Sequence, residues 1–281
     1  MATSSTKPAN VDYFRIPRPL WRQIKRHLPK PPARRGPGRP PADRRAVMNG
    51  IWYVLWTGCQ WKAVHRDWFG VSSSVLHTRL QQWQREGRFA AMMTTLVRFY
   101  GRNKRVQWMW QSMDARNGAA PLGGEATGKN PTDRAKKGTK LHLLVDGRGA
   151  PLSLGITAAN SGETGAVQSV VMEMAVRRPT SEQHFCGDRG YDAKAVHEFL
   201  LRAGYILHIK HRRRRGEPPA PELDIPGEAQ YPARRWVVER TFSWLVKRRS
   251  IRTRWCKKVA NWLALVQFAC AHILCDMAIY G

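Results

Sequence analysis

Strand-like and helix-like patterns follow one another in a particular order through the second half of the chain, and this order restricts the possible folds most. In chain order the segments are 108–114, 139–145 and 150–158 as strands, 163–176 as a helix, 183–186 as a strand, 192–203 as a helix and 205–209 as a strand. The run DGRG at 146–149 is a hairpin signal between the second and third strands. The pattern therefore predicts three strands, a helix, a strand, a helix and a strand.

This order of elements is that of an RNase H-like sheet, in which the first and fourth strands are neighbours at the centre. We accordingly predict an α/β fold for residues 106–281, with a mixed five-stranded sheet and flanking helices. Before it, residues 43–105 carry apolar side chains at helical spacing, which predicts a small all-α domain. Residues 1–42 form a third region of different composition.

Two aspartates are placed at the ends of the two central strands. Asp114 ends the first predicted strand, and Asp188 follows the fourth, between Gly187 and Gly190, which allow a tight turn. Neighbouring carboxylates repel unless a cation lies between them, and Mg²⁺ prefers carboxylate oxygens. Two bound ions can assist the cleavage of a phosphodiester. The alternative is that Asp188 and Asp192 only turn the chain and cap the next helix.

A third carboxylate, Glu239, lies in the predicted helix 233–249, which is otherwise apolar and basic. Burying a carboxylate among neighbours such as Trp236 and Val238 costs several kcal/mol unless it is paired or bound to a metal. We therefore do not expect a plain surface position. Two roles stay open for Glu239, namely a share in a metal site or an internal salt bridge to Arg235, one turn before it.

The charge of the chain indicates a polyanionic partner. It has 48 Lys and Arg against 20 Asp and Glu, which gives a formal net charge of +28 and a pI near 11.0. This excess goes far beyond what solubility requires, and nucleic acid explains it better than a membrane surface. The most apolar segment, 259–280, is interrupted by polar residues, so we expect no membrane association.

The cysteines and the first residues bear on the cellular compartment. Five cysteines occur without a C-x-x-C pair, so neither a zinc ribbon nor a disulfide framework is expected. The first ten residues are polar and do not resemble a secretory signal. We expect a cytoplasmic protein with reduced thiols.

Residues 1–42 are rich in proline, serine and basic side chains. The proline-rich run 29–41 excludes regular structure. One interpretation is a basic arm that lies along phosphates or in a minor groove. The other is a solvated linker.

A helix-turn-helix is the hypothesis for residues 43–105. Asp43 is placed to cap the first helix, and residues 72–86 are the predicted recognition helix. Three polar side chains at a spacing of four residues share one face of it and can donate to base edges and phosphates. They are His77, Gln81 and Arg85. An ordinary polar helix face is the alternative.

These residues carry a resemblance to a known family. The runs GDRGYD at 187–192 and WVVERTFSWL at 236–245 resemble the DDE transposases of bacterial insertion sequences, specifically the insertion-sequence-5-like group of the insertion-sequence-4/5 superfamily. The run GCQWK at 58–62, followed by the second helix, is similar to the DNA-binding region of that group. The glutamate run is the most specific of the three.

The resemblance implies an enzyme that binds the terminal inverted repeats of its element, cuts their 3′ ends and joins them to target DNA. It implies that Asp114 and Asp188 hold two Mg²⁺ ions, for which Mn²⁺ can substitute, and that Glu239 completes one coordination sphere. Arg235 and Lys247 are then expected to hold phosphates near the cut. Further basic residues are expected to line the path of double-stranded DNA, namely Lys136, Lys137, Lys140, Lys210, Arg212 and Arg213.

The resemblance also implies a homodimer or higher oligomer, because two DNA ends must be cut together, and a location at the bacterial nucleoid. The competing hypothesis is a DNA-binding regulator derived from a transposase that has lost its chemistry. A nuclease that acts on nucleic-acid structure is disfavoured by the predicted helix-turn-helix.

Overall fold

The computed structural model describes residues 14–30, 40–212 and 235–281. Most of the predicted basic arm, Arg213 and the greater part of the basic, proline-rich loop 211–232 lie outside these ranges. The described parts form a set of helices, a six-stranded sheet and a second set of helices.

Five helices precede the sheet. They are α1 (Arg18–Ile24), α2 (Arg44–Thr57), α3 (Arg66–Phe69), α4 (Ser73–Arg85) and α5 (Arg88–Lys104). Asp43 caps α2 as predicted, since its carboxylate accepts a 2.8 Å hydrogen bond from the Ala46 N–H. The helix ends at Gly58, whose φ of +66° is a left-handed conformation that glycine adopts without strain. The side chain of Ser72 makes no capping bond to α4.

The first helix belongs to the core. Leu20 and Ile24 are fully buried, and Ile16 and Leu28 are nearly so. Their spacing of four residues places them on one face, which packs against α5. This stretch lies within the segment predicted as a basic arm, so at residues 16–28 the burial of apolar side chains contradicts that prediction.

The sheet contains six strands, of which one is very short. They are β1 (Trp110–Ala119), β2 (Gly128–Lys129), β3 (Lys137–Asp146), β4 (Pro151–Ala158), β5 (Gln183–Gly187) and β6 (Tyr205–Ile209). The long strands lie in the order β4-β3-β1-β5-β6, and β2 pairs with the first two residues of β3. Strands β1, β3 and β4 are antiparallel to their neighbours in this group, whereas β5 and β6 run parallel to β1. The RNase H-like α/β fold is therefore confirmed.

The first strand is longer than predicted. It does not end at Asp114 but continues to Ala119, because β3 is equally long and pairs with it as far as Gly138. Pairing with β5 stops at Ser112 and Cys186. Asp114 therefore lies where β1 leaves β5, rather than where β1 ends.

Five helices follow the third long strand. They are α6 (Val167–Met172), α7 (Lys194–Arg202), α8 (Trp236–Val246), α9 (Arg249–Arg252) and α10 (Val259–Tyr280). The helix predicted at 163–176 is shorter, because it starts as a 3₁₀ turn and stops where Ala175 donates to the Leu152 carbonyl at the sheet edge. Both faces of the sheet are covered, one by α6 and α7 and the other by α8 and α10.

Helix α10 packs against the helices of the N-terminal half. The Phe268 ring lies 5.3 Å from Trp52 in α2 and 6.0 Å from Phe89 in α5. One continuous apolar cluster includes these helices, α8, α10 and one face of the sheet. By length and composition, helix α10 is apolar enough to cross a membrane. However, 72% of its most apolar stretch of 18 residues is buried inside the protein, as in a core helix.

Candidate active site

The parallel pairing of β1 with β5 brings Asp114 and Asp188 together. Ser112 lies opposite Cys186 in the register, and each aspartate stands two residues further along its own chain. Asp188 also accepts a 2.8 Å hydrogen bond from the Gly190 N–H and thereby caps the short turn Arg189–Tyr191. Asp188 therefore acts as a capping residue, as the alternative interpretation expected, and this hydrogen bond uses only its Oδ1 atom.

The electrostatics of Asp114 show which charges surround it. Burial raises the pKa of its carboxyl to about 6, a hydrogen bond of 2.8 Å from the Ala115 N–H opposes this rise, and the negative charges of Asp188, Glu163 and Glu239 increase it further. Three other carboxylates thus lie within electrostatic reach of Asp114, near the end of the β1–β5 pairing.

Glu239 is less buried than predicted. Helix α8 turns Val237, Val238, Thr241, Phe242 and Leu245 inward. The side chain of Glu239 is 54% exposed, and its Oε1 lies 3.6 Å from the Arg235 Nε. The sequence argument from burial is wrong because Glu239 follows the buried Val238 by one residue, about 100° around the helix axis. The surface salt bridge to Arg235 is present.

Glu163 was missed as a site residue by the sequence analysis. It stands five residues beyond the end of β4, which runs in the same direction as β1 and β5. It was included only in a predicted helix. The signal was available, because a carboxylate at the carboxyl end of the third strand reaches the same sheet edge as Asp114 and Asp188.

Lys140 is placed differently from the other basic residues predicted to line a DNA path. It is 7% exposed, its Nζ donates to the Ser161 carbonyl at 2.8 Å, and it lies 3.4 Å from Glu163 Oε1. The remaining described members of that group are solvent-exposed. These are Lys136, Lys137, Lys210 and Arg212, together with Arg235 and Lys247 on and after α8.

The cluster formed by Asp114, Asp188, Glu163 and Glu239 has the ligand chemistry of a magnesium site, but its side chains do not converge on one point. Within residues 14–30, 40–212 and 235–281, no three His, Cys, Asp or Glu side chains are arranged to hold a metal ion. The donors are nevertheless all carboxylate oxygens, which suit Mg²⁺. A Cβ atom added to Gly190 would lie 2.9 Å from both Asp188 Oδ1 and Glu163 Oε2, so the two oxygens border one small space.

Asp192 makes several contacts but does not cap α7. It accepts a 2.8 Å hydrogen bond from the Arg212 N–H and lies 3.2 Å from His197 and 2.8 Å from His211. The cap position of α7 is Ala193, which offers no side-chain bond. The alternative of Asp192 as the cap of α7 is wrong, because its carboxylate contacts the His197 side chain within α7 and the segment after β6 rather than the first backbone N–H groups of the helix.

The predicted recognition face of α4 is divided between solvent and α10. Arg85 is exposed, whereas His77 is half-buried, and its Nε2 lies 3.3 Å from Asn261 Nδ2 at the start of α10 and 3.5 Å from Gln81 Nε2. Burial and the charge of Lys258 lower the pKa of His77. Base contact by these three side chains remains a prediction.

The comparisons with known proteins agree with this fold. The family described as "Transposase DDE domain" matches residues 97–274, which is more than half of the chain. The chain therefore belongs to the DDE transposases. Residues 16–93 match the family described as "Putative transposase of IS4/5 family", so the transposase is of the IS4/5 type.

Two relatives from Burkholderia cepacia are similar in sequence. The "Putative transposase for insertion sequence element IS402" is 31% identical over 153 residues, which cover 52% of this chain and 67% of that protein. The "Insertion element IS402 uncharacterized 16.2 kDa protein" is 29% identical over 114 residues, which cover 40% of this chain and 78% of that protein.

Two solved structures resemble the chain only distantly. One is the piggyBac transposase synaptic complex with hairpin DNA, with 11% identity, a TM-score of 0.46, and coverage of 95% of this chain and 73% of that one. The other is the Mos1 mariner paired end complex with Mn, with 13% identity, a TM-score of 0.28, and coverage of 88% and 82%.

Proposed function

We propose that this DDE transposase binds the terminal inverted repeats of an insertion sequence, cuts their 3′ ends and joins them to target DNA. The observation that carries the proposal is the juxtaposition of Asp114 and Asp188 at the point where β1 and β5 separate. Two carboxylates on neighbouring strands, with a third on α8, suit metal-assisted phosphoryl transfer.

Asp114 and Asp188 are the proposed ligands of two Mg²⁺ ions, with Glu239 completing the set, and Mn²⁺ can substitute. Bound Mg²⁺ supplies charge stabilisation to a phosphodiester and lowers the pKa of a coordinated hydroxyl group. Glu239 is half-exposed and paired with Arg235. When the Arg235 guanidinium binds a DNA phosphate instead, the Glu239 carboxylate is free to approach the proposed metal site. Lys247, which directly follows α8, is exposed and can hold a second phosphate.

DNA binding is proposed to rest on the net charge of +28 and on exposed basic residues near the sheet edge. Lys136 and Lys137 precede and start β3, and Lys210 and Arg212 follow β6. Arg213 continues the second of these groups along the sequence, and the basic side chains of residues 1–42 add further positive charge. Arg85, with His77 and Gln81, is the proposed base-reading group of α4.

Because both ends of an element must be cut together, we propose that the protein acts as a homodimer or higher oligomer on double-stranded DNA at the bacterial nucleoid, in the cytoplasm. The test begins with the DNA that flanks the gene, which is searched for short inverted repeats. Purified protein is then incubated with labelled repeat ends and Mg²⁺.

The expected result is site-specific, Mg²⁺-dependent nicking at the 3′ ends of the repeats. Asp188→Asn should abolish nicking, and Glu173→Gln, at an exposed position after α6, is the matched control that should retain it. A wild-type protein that binds the ends but does not cut them, with Mg²⁺ or Mn²⁺, would show that the alternative of an inactive regulator is correct.

A further inference from the structure

A fourth carboxylate lies at the sheet edge beside the proposed triad. Glu163 follows β4, and its charge is one of those that surround Asp114. The strands β1, β4 and β5 share one direction. Glu163 and Asp188 follow the carboxyl ends of β4 and β5, on the side where β1 carries Asp114 beyond its pairing with β5.

The two oxygens of Glu163 have different surroundings. Oε1 lies 3.4 Å from the Lys140 ammonium, which is itself held by the Ser161 carbonyl. Oε2 borders the space beside Gly190, where a methyl group in place of the Gly190 hydrogen would lie 2.9 Å from both Glu163 Oε2 and Asp188 Oδ1. Lys140 therefore fixes one oxygen of Glu163 and leaves the other directed to the side of Asp188.

Tyr191 gives an independent indication that this region accepts a ligand. Its side chain is fully buried, and among the described residues its phenolic oxygen has no hydrogen-bond partner. The negative charges of Glu163, Asp114 and Asp188 all act on this side chain, that of Glu163 most strongly. A buried hydroxyl without a partner is costly, and it is expected where a bound ligand completes the hydrogen bonding of a site.

We propose that Glu163 is a fourth ligand of the divalent-cation site, contributing Oε2 opposite Asp188 while Lys140 holds Oε1. This inference rests on the proposed function, because it deepens the composition of the same site. The Glu163 side chain is 24% exposed and the Lys140 side chain is 8% exposed, so the pair is held in place rather than free in solvent. A carboxylate held in this way suits a hard cation with oxygen ligands.

The test measures Mn²⁺ binding directly, by electron paramagnetic resonance of the free ion in titrations of the full chain. Loss of an interaction at the metal typically weakens affinity by about 10- to 100-fold. Glu163→Gln should therefore weaken Mn²⁺ binding about tenfold or more, whereas Glu173→Gln should bind as the wild type does. Circular dichroism of each variant checks that it is folded.

The outcomes separate this inference from the proposed function. Wild-type affinity for Mn²⁺ in folded Glu163→Gln, or the absence of Mn²⁺ binding by the wild type, overturns the inference. Cleavage of DNA ends by the wild type together with unchanged Mn²⁺ binding in Glu163→Gln leaves the proposed function standing alone. Weakened Mn²⁺ binding in Glu163→Gln, with a wild type that cuts no DNA end, supports the fourth ligand and sinks the proposed function.

Discussion

The Tyr100 hydroxyl donates a 3.0 Å hydrogen bond to Asp146 Oδ2, which joins helix α5 to the hairpin between β3 and β4. Asp146 is fully buried and also accepts hydrogen bonds from three backbone N–H groups, those of Gln107, Arg148 and Ala150. The sequence indicated only a turn residue at this position. The carboxylate in fact ties the helical half of the chain to the sheet.

Replacing Tyr100 by Phe should lower the free energy of unfolding by about 1–3 kcal/mol, because the mutation leaves a buried carboxylate with one donor fewer. Urea unfolding monitored by circular dichroism measures the change. Tyr280→Phe, at an exposed position in the last turn of α10, is the control and should unfold as the wild type does. Equal stability of Tyr100→Phe and the wild type would mean that the bond contributes nothing.

Asp114→Asn should abolish end cleavage and yet stabilise the metal-free protein near pH 7. The pKa of Asp114 is raised from 3.8 to about 6 in the folded protein. The stability associated with the neutral carboxyl is therefore fully present below pH 3.8 and is lost as the pH rises through about 6. The shift corresponds to at most about 3 kcal/mol at neutral pH. Thermal unfolding of both proteins at pH 4 and pH 7 measures it; a variant less stable than the wild type at pH 7 contradicts the expectation.

Three buried imidazoles should make the fold sensitive to acid. Burial lowers the folded pKa of His142 to about 4, of His208 to about 4 and of His272 to about 3. Stability contributed by neutral histidine is therefore present above about pH 6.5 and is lost as the pH falls toward 4, by up to about 1.4 kcal/mol per pH unit for each group. Urea unfolding at several pH values should show this slope, and His142→Gln should reduce it. If the free energy of unfolding of His142→Gln depends on pH as that of the wild type does, His142 does not contribute to the acid sensitivity.

Gly190→Ala should weaken Mn²⁺ binding without unfolding the protein. The added methyl group would stand 2.9 Å from oxygens of both Asp188 and Glu163, so the two carboxylates must separate. Gly165→Ala, two residues from Glu163, is the matched control, since its methyl group meets nothing within 4 Å. Titration with Mn²⁺ compares the two variants, and equal affinity would argue against a shared space beside Gly190.

Arg85→Ala and His77→Ala should differ in effect. Arg85 is exposed on α4, so its loss should reduce the preference for element ends over unrelated DNA by about 1–3 kcal/mol. His77 contacts Asn261, so its loss should mainly lower stability. Competition binding with both DNAs, and thermal unfolding, distinguish the two effects. Arg102→Ala, at an exposed position near the end of α5, should weaken binding to both DNAs equally; the same behaviour in Arg85→Ala would exclude base reading.

The order of the elements could be predicted because strand and helix periods are local properties of the sequence. The neighbouring positions of Asp114 and Asp188 followed from that order, since a parallel β1–β5 pair leaves little freedom in where the two chains separate. Strand length could not be predicted in the same way. Residues 115–119 are polar or small and lack an apolar strand pattern, and they form a strand because β3 supplies partners for their backbone groups.

The Lys140–Glu163 pair and the exposure of Glu239 were beyond the sequence for different reasons. The pair depends on the register of β3 with β4, which sets Lys140 opposite Thr157 and brings it near the chain after β4. The exposure of Glu239 depends on the rotation of α8 about its own axis, where a shift of one residue exchanges a buried for an exposed side chain. Packing of α1 and α10 into one core likewise joins segments far apart in sequence.

The position of α10 has a consequence during protein synthesis. Helices α1, α2 and α5 leave the ribosome before α10, so the apolar surface that α10 covers on them stays open until α10 has been translated. A message that stops before codon 259 therefore yields a product with an uncovered apolar face, which chaperones and proteases recognise. Such a shortened product should not accumulate.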